Sequence, residues 1–189
     1  KMGKKISIDS STLMNKVLEV IEAQKIFNIS TNKISIIIHP ESLIHALVEL
    51  KNGLTYFIYH ETSMTVPIAN AIFENDIEIN DFLKINKLKF VKNLTFRKVN
   101  SKLFPTVNLI KDINKYPSAT IIVNACNEIL VDQFLRKNIE FLSIFRTIKT
   151  ILNDRNYKKY AIRRPQNVSQ IIEIDLWARK QTMKKLKRV

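Results

Sequence analysis

Between Ser10 and Glu22 the chain carries hydroxyl, amide, ammonium and carboxylate groups at spacings that a helix turns into one face. Thr12, Asn15, Lys16, Glu19 and Glu22 recur every three or four residues, the period that brings side chains to one side of an α-helix. Leu13, Val17, Val20 and Ile21 fall on the other side. A helix N-terminus offers unpaired backbone N–H groups and a partial positive charge. With Ser10, Ser11 and Thr12 before it and Lys16 one turn in, such a terminus suits an anionic group such as a phosphate. Glu19 then brings a carboxylate within reach of whatever the anion is attached to. A solvated stripe with a Lys16–Glu19 ion pair at i, i+3 accounts for the same residues. Spacing alone does not choose between the two.

The elements that must position these groups follow from pattern. Ile6 to Ile8 reads as a short buried strand and Leu13 to Ala23 as a helix, with an N-cap among Ser10, Ser11 and Thr12. Ile34 to Ile38 is a β-branched run that predicts a strand. Glu41 to Leu50 reads as an amphipathic helix opened by Pro40. Asn52-Gly53 is a turn, Leu54 to Tyr59 a strand, and Met64 to Phe73 a helix. Glu74 to Phe96 alternates weakly and ends in Leu94-Thr95-Phe96, a last strand. Beyond Phe104 four helical stretches follow: Val107–Lys115, Ala119–Lys137, Leu142–Leu152 and Val168–Lys185, with Arg155 to Pro165 as a basic linker. The expected class is α+β: a mixed α/β domain over residues 1–98, then a small helical bundle over residues 99–189.

Composition excludes some classes of function. The 189 residues are 46% hydrophobic and 25% charged, which argues against disorder of the whole chain. No apolar run reaches the roughly 18 residues of a membrane helix, so no membrane partner is expected. Lys1 to Lys5 has no apolar run behind it of signal-peptide length. The single Cys126 fits a reducing compartment, and the chain reads as cytoplasmic. Its opening reads as an interior segment of a longer protein. The net charge of +14 suits polyanions or phosphorylated metabolites. An Ile-, Lys- and Asn-rich chain with two glycines also reflects AT-rich coding, so charge decides little.

Other reactive side chains read as structural. His39 and His45, six apart, match neither a helical metal pair nor a nucleophile–base arrangement. Cys126 sits among small and apolar residues as a buried thiol. Asn124, Asn127 and Glu128 fit capping or bonds between helices, and Trp177 fits a core anchor. The tail from Arg179 has six basic residues without interleaved aromatics, so no nucleic acid is expected as a partner. There is no GxGxxG and no P-loop.

The segment Met2-Gly3-Lys4-Lys5-Ile6-Ser7-Ile8-Asp9-Ser10-Ser11-Thr12-Leu13-Met14-Asn15-Lys16-Val17-Leu18-Glu19-Val20-Ile21-Glu22-Ala23 resembles the signature of the 1-deoxy-D-xylulose 5-phosphate reductoisomerase family. Ile38-His39-Pro40-Glu41-Ser42-Leu43-Ile44-His45 is similar to its second block. Leu94-Thr95-Phe96, Phe104-Pro105 and Val123-Asn124-Ala125-Cys126-Asn127-Glu128 follow in matching order. The resemblance implies conversion of 1-deoxy-D-xylulose 5-phosphate to 2-C-methyl-D-erythritol 4-phosphate by metal-assisted rearrangement and NADPH reduction. It implies that Ser10, Asn15 and Lys16 hold the substrate phosphate and that Glu19 is a ligand of Mg²⁺ or Mn²⁺. Gly3 would lie beside NADPH, Met2 beside the substrate-covering loop, and the enzyme would be a homodimer. The NADPH-binding domain, an Asp-Ser-Glu metal motif and a His-Pro-Thr-Trp lid would lie upstream of Lys1, leaving this chain inactive alone. Where the family has Gly-Glu-Pro-Asp-Met-Arg, His60-Glu61-Thr62-Ser63-Met64-Thr65 stands here. The alternative is an inert scaffold from a broken or split gene.

Overall fold

Apolar residues at helical spacing dominate both ends of the chain, and in the structure they form one core. The structure is a computed structural model that describes residues 3–73, 78 and 93–187. Helices α1 (Lys4–Ser11) and α2 (Met14–Phe27) open the fold. A 3₁₀ turn, Pro105–Asn108, leads into α4 (Leu109–Ile113), followed by α5 (Ala119–Leu135), α6 (Phe141–Leu152), α7 (Tyr157–Ala161) and α8 (Val168–Leu186). Met14 and Val17 of α2 are buried with Ile122, Val123 and Leu130 of α5, Ile144, Ile148 and Ile151 of α6, and Ile174 of α8. Contacts group Lys1–Ile36 with Asn100–Val189 as one compact unit and Ile37–Val99 as another. This cuts the chain differently from the expected 1–98 and 99–189. The first two helices supply apolar side chains to the helical core.

The second unit is built on local pairings. Strand β2 (Ile44–Glu49) runs antiparallel to β3 (Thr55–Tyr59), with Leu47 opposite Phe57 and an irregularity between Ile44 and Ala46. Gly53, at φ +87°, takes the left-handed conformation that closes the turn, and its N–H donates to the Leu50 carbonyl at 3.0 Å. Strand β1 (Ile37–Ile38) pairs antiparallel with β4 (Arg97–Lys98). Helix α3 (Thr65–Phe73) follows β3. The class is α+β, with two-stranded sheets and no parallel pairing among the described residues.

Several local expectations are corrected. Ile6 to Ile8 lies in helix α1, where Lys5 and Asp9 pair at i, i+4 and Ile6 is exposed. Three alternating residues are too short a run to separate strand from helix. Ser10 and Ser11 end α1 and do not cap α2, whose first turn is preceded by Leu13 in a left-handed conformation without a side-chain cap. Thr12 supplies part of that role, since its Oγ1 accepts from the Met14 N–H at 3.3 Å. Glu41 to Leu50 is not a helix, because pairing with Thr55–Tyr59 across the Asn-Gly turn claims its backbone groups for a hairpin. The pairing strands at Ile34–Ile38 and Leu94–Phe96 shrink to Ile37–Ile38 and shift to Arg97–Lys98. Helix α7 forms inside the expected basic linker, with Tyr157 and Ala161 buried. Most of the weakly alternating stretch lies outside the described residues.

Ion pairs join the helices where apolar packing ends. Asp112 on α4 accepts from Lys149 Nζ of α6 at 2.6 Å and from Lys115 Nζ at 2.8 Å. Burial pushes the Asp112 carboxyl up, but these two lysines outweigh it and hold it below the usual carboxylate range. A carboxyl lowered in the folded state stabilises at pH above its unfolded value, and that stability is lost as pH falls through the folded value. Asp112→Asn should therefore lower the thermal midpoint at pH 7 by roughly 2–4 °C. At about pH 2 the gap between the variant and the parent should be smaller than at pH 7. Circular-dichroism melts at both pH values check this, and an equal loss at both would refute the ion-pair account.

Candidate functional site

The corner between α1 and α2 brings polar groups together on top of buried structure. Asp9, in the last turn of α1, is 2% exposed. Its Oδ1 accepts from Asn127 Nδ2 of α5 at 2.8 Å, and its Oδ2 accepts from Lys5 Nζ at 2.8 Å. Thr12 Oγ1 donates toward the carbonyls of Ile8 and Asp9, and Thr106 Oγ1 donates to the Thr12 carbonyl. Leu13, at φ +59°, turns the chain in one residue. Ser10 sits half-buried beside this corner, and its carbonyl accepts from the Leu13 N–H.

One turn further, the expected polar face is present. Asn15 Nδ2 donates to Glu19 Oε1 at 2.7 Å, and Lys16 Nζ donates to Glu19 Oε2 at 2.6 Å. The Glu19 carboxylate is thus held by the amide and ammonium groups assigned to the phosphate. Lys16 and Glu19 are nearly half exposed, so both remain open to a ligand. Gly3 precedes α1 at φ −62°, its carbonyl accepts from Ser7, and a Cβ built on it meets nothing within 4 Å. The chain's own packing does not require glycine there. Met2 lies outside the described residues.

A hard divalent cation takes about six oxygen ligands. No group of three or more His, Cys, Asp or Glu among the described residues is arranged to hold a metal. Glu19 can give such an ion one carboxylate and no more. A cavity of about 40 Å³ beside the corner, lined by Ser11, Thr12, Phe104, Phe141 and Phe145, has room for water but not for a sugar phosphate.

A model described as "DXP reductoisomerase C-terminal domain" matches residues 60–181, and one described as "1-deoxy-D-xylulose 5-phosphate reductoisomerase C-terminal domain" matches residues 1–27. The chain belongs to this family. The enzyme of this name from Pelagibacter ubique (strain HTCC1062) is 40% identical over 172 residues, which are 90% of this chain and 44% of that protein. Its namesake from the Wolbachia of Brugia malayi is 40% identical over 182 residues, 94% of this chain and 45% of that protein. Among solved structures, the Zymomonas mobilis reductoisomerase in complex with NADPH matches with a TM-score of 0.88 and 30% identity, over 98% of this chain and 48% of that one. A DOX-P reductoisomerase in complex with NADPH, fosmidomycin and magnesium matches with a TM-score of 0.91 and 30% identity, over 99% of this chain and 47% of that one. The chain therefore spans less than half the length of the relatives it matches.

The remaining reactive groups make contacts within the chain. His39 Nδ1 lies 2.9 Å from both the Thr95 carbonyl and a Glu41 carboxylate oxygen, and its ring stacks on Phe96. His45, on a strand where a helix was expected, stacks on His60 at 3.7 Å. Glu128 accepts from Arg179 of α8 at 2.5 Å, and Lys185 pairs with Asp154, so these two cations of the basic tail are tied down. Trp177 stacks on Tyr160 at 4.4 Å. No helix among the described residues is long and apolar enough to cross a membrane. Asn127 makes the bond between helices expected of it, and sequence reasoning missed its partner, Asp9. A helix reading of Lys4–Ser11 would have shown Asp9 one turn from Lys5.

Cys126 is fully buried and receives a hydrogen bond from Thr182 Oγ1 at 3.1 Å. Burial pushes its thiol up to about 11, which leaves almost no thiolate at neutral pH. Iodoacetamide should label it at least about 100-fold more slowly in the folded chain than in urea. Equal labelling rates, read by mass spectrometry, would remove the assignment as an inert core thiol.

Proposed function

We propose that this chain is the C-terminal portion of a 1-deoxy-D-xylulose 5-phosphate reductoisomerase. The activity would be NADPH-dependent rearrangement and reduction of 1-deoxy-D-xylulose 5-phosphate to 2-C-methyl-D-erythritol 4-phosphate. The observation that carries this reading is Asn15, Lys16 and Glu19 clustered on one exposed helical turn of a chain from this family. Ser10, Asn15 and Lys16 would bind the substrate phosphate through hydroxyl, amide and ammonium donors. A phosphate taking the Lys16 and Asn15 donors would release Glu19, whose freed oxygens could then serve as one ligand of Mg²⁺ or Mn²⁺. Gly3 would lie against NADPH. When bound, the cation supplies Lewis-acid polarisation and NADPH supplies hydride. The other ligands and the NADPH fold must come from residues other than those described here. Cytoplasmic location is proposed with it, supported by the single reduced cysteine.

The test mixes or fuses this chain with the N-terminal half of a relative and follows NADPH consumption with substrate. Lys16→Ala and Glu19→Gln should each cut turnover by at least about 100-fold. Unchanged kinetics in either variant would sink the site assignment. A second reading, an inert scaffold, draws on the lack, among the described residues, of three or more His, Cys, Asp or Glu placed to hold a metal, and a wild-type mixture that consumes no NADPH would favour it.

A homodimer belongs to the same reading. Its support is the β2–β3 hairpin, where Val48, Tyr56, Phe57 and Ile58 are each 44–56% exposed, an apolar ribbon of the kind that oligomer contacts cover. Phe57→Glu should shift the sedimentation-equilibrium mass from two chains to one. A parent that sediments as a monomer would dismiss the homodimer.

A further inference from the structure

The pair Asp9–Asn127 is costly, and nothing in the packing alone calls for it. Asn127 is fully buried in the middle of α5, and only one side of its amide is satisfied: Nδ2 donates to Asp9, while Oδ1 has no partner. Burying a carboxylate and half of an unsatisfied amide costs more than burying two apolar side chains of like size. What an apolar pair cannot provide is direction. A hydrogen bond fixes the rotation of α1 about its own axis, whereas apolar contact tolerates slip.

That rotation matters because the proposed phosphate seat straddles the corner. Ser10 lies on α1, adjacent to Asp9, and Asn15 and Lys16 lie on α2. Thr12 and Leu13 alone connect the two helices. The core grips α2 through Met14, Val17 and Val20. The corner carbonyl of Thr12 is held by Thr106. On α1 the buried residue is Asp9, so the distance from the Ser10 hydroxyl to the Lys16 ammonium is set by how α1 is turned.

We propose that Asp9 and Asn127 are positioning residues that fix α1 against α5 and so align Ser10 with Asn15 and Lys16 for an oxyanion such as phosphate. Neither residue touches the ligand. Lys5 completes the arrangement by taking the second Asp9 oxygen at 2.8 Å. The inference rests on the phosphate reading above, and its test separates the two.

The full 189-residue chain, isotopically labelled, is titrated with inorganic phosphate while the amide signals of Ser10, Asn15 and Lys16 are followed by NMR. Asn127→Asp sets two carboxylates against each other and should weaken phosphate binding by about tenfold or more. Adding Asp9→Asn to it restores a donor and an acceptor, with the amide now on α1, and should return the affinity to within about threefold of the parent. A merely structural role would lower the melting temperature without this loss and rescue. Unchanged affinity in Asn127→Asp, or no recovery in the double variant, overturns the proposal. Should Asn127→Asp not fold, Asn127→Ala withdraws the donor without adding charge, and unchanged affinity there overturns it equally. If the parent shows no phosphate response, the phosphate reading fails by itself. Hydrogen exchange at Ser10 to Leu13, measured against α5 and α6 amides, then decides. Faster exchange confined to the corner in Asn127→Asp, reversed in the double variant, supports positioning, and exchange that does not change overturns it.

Discussion

A carboxylate can stay inside a helical core only if its lone pairs are taken up by donors. Asp9 meets that condition with one bond forward to α5 and one bond back along its own helix. The consequence reaches beyond one side chain. The first helix is short, with a single buried residue, and has little apolar surface of its own to bury. Its attachment therefore depends on this polar contact, on half-buried Ile8 packed against the core, and on the corner into α2. The second helix depends on the reverse: three buried apolar residues and an exposed polar turn. One segment is located by direction and the next by area, which lets a sharp left-handed turn at Leu13 hold between them despite its cost of about 1–2 kcal/mol.

The exposed turn of α2 shows how a polar face can be stable without a ligand. Lys16 and Asn15 satisfy Glu19, so the three groups neutralise and orient one another. Exposed pairs of this kind are worth about 0–1 kcal/mol. That is too little to resist a doubly charged anion, and enough to keep long side chains from sampling every rotamer. The solvated-stripe and proposed ligand-seat readings are therefore compatible with the same residues.

Legibility in the sequence followed the length and periodicity of each segment. Ala119–Leu135, Phe141–Leu152 and Val168–Leu186 lie close to where apolar spacing puts them, because long amphipathic stretches leave no competing pattern. The polar face of α2 was readable for the same reason. Short elements failed. Ile6 to Ile8 alternates like a strand but follows the backbone of α1, and Ile44–Glu49 has helical spacing yet is recruited by Thr55–Tyr59 across the turn at Gly53. The unit boundaries were hidden because they depend on contacts between residues more than a hundred positions apart, such as Asp9 with Asn127. Motif resemblance assigned roles to Ser10, Asn15, Lys16 and Glu19 without needing the fold. The same resemblance could not show that Asn127 reaches back to the residue next to Ser10.

Net charge proves a weaker guide than local pairing. The chain is strongly basic, and composition alone suits any polyanion. Yet Arg179 is bonded to both Asp175 and Glu128, Arg163 to Glu173, Lys149 to Asp112 and Lys185 to Asp154. These cations join helices to one another and so serve packing before any ligand. A field of many tied cations attracts anions over distances set by screening, roughly 10 Å at ordinary salt, without choosing among them. Choice requires donors of different kind at fixed separation, and the hydroxyl, amide and ammonium groups around the α1–α2 corner have that mixture. In the proposed reading, selectivity for a small phosphorylated ligand would follow from how rigidly the corner is held, and basicity would add only to the rate of encounter.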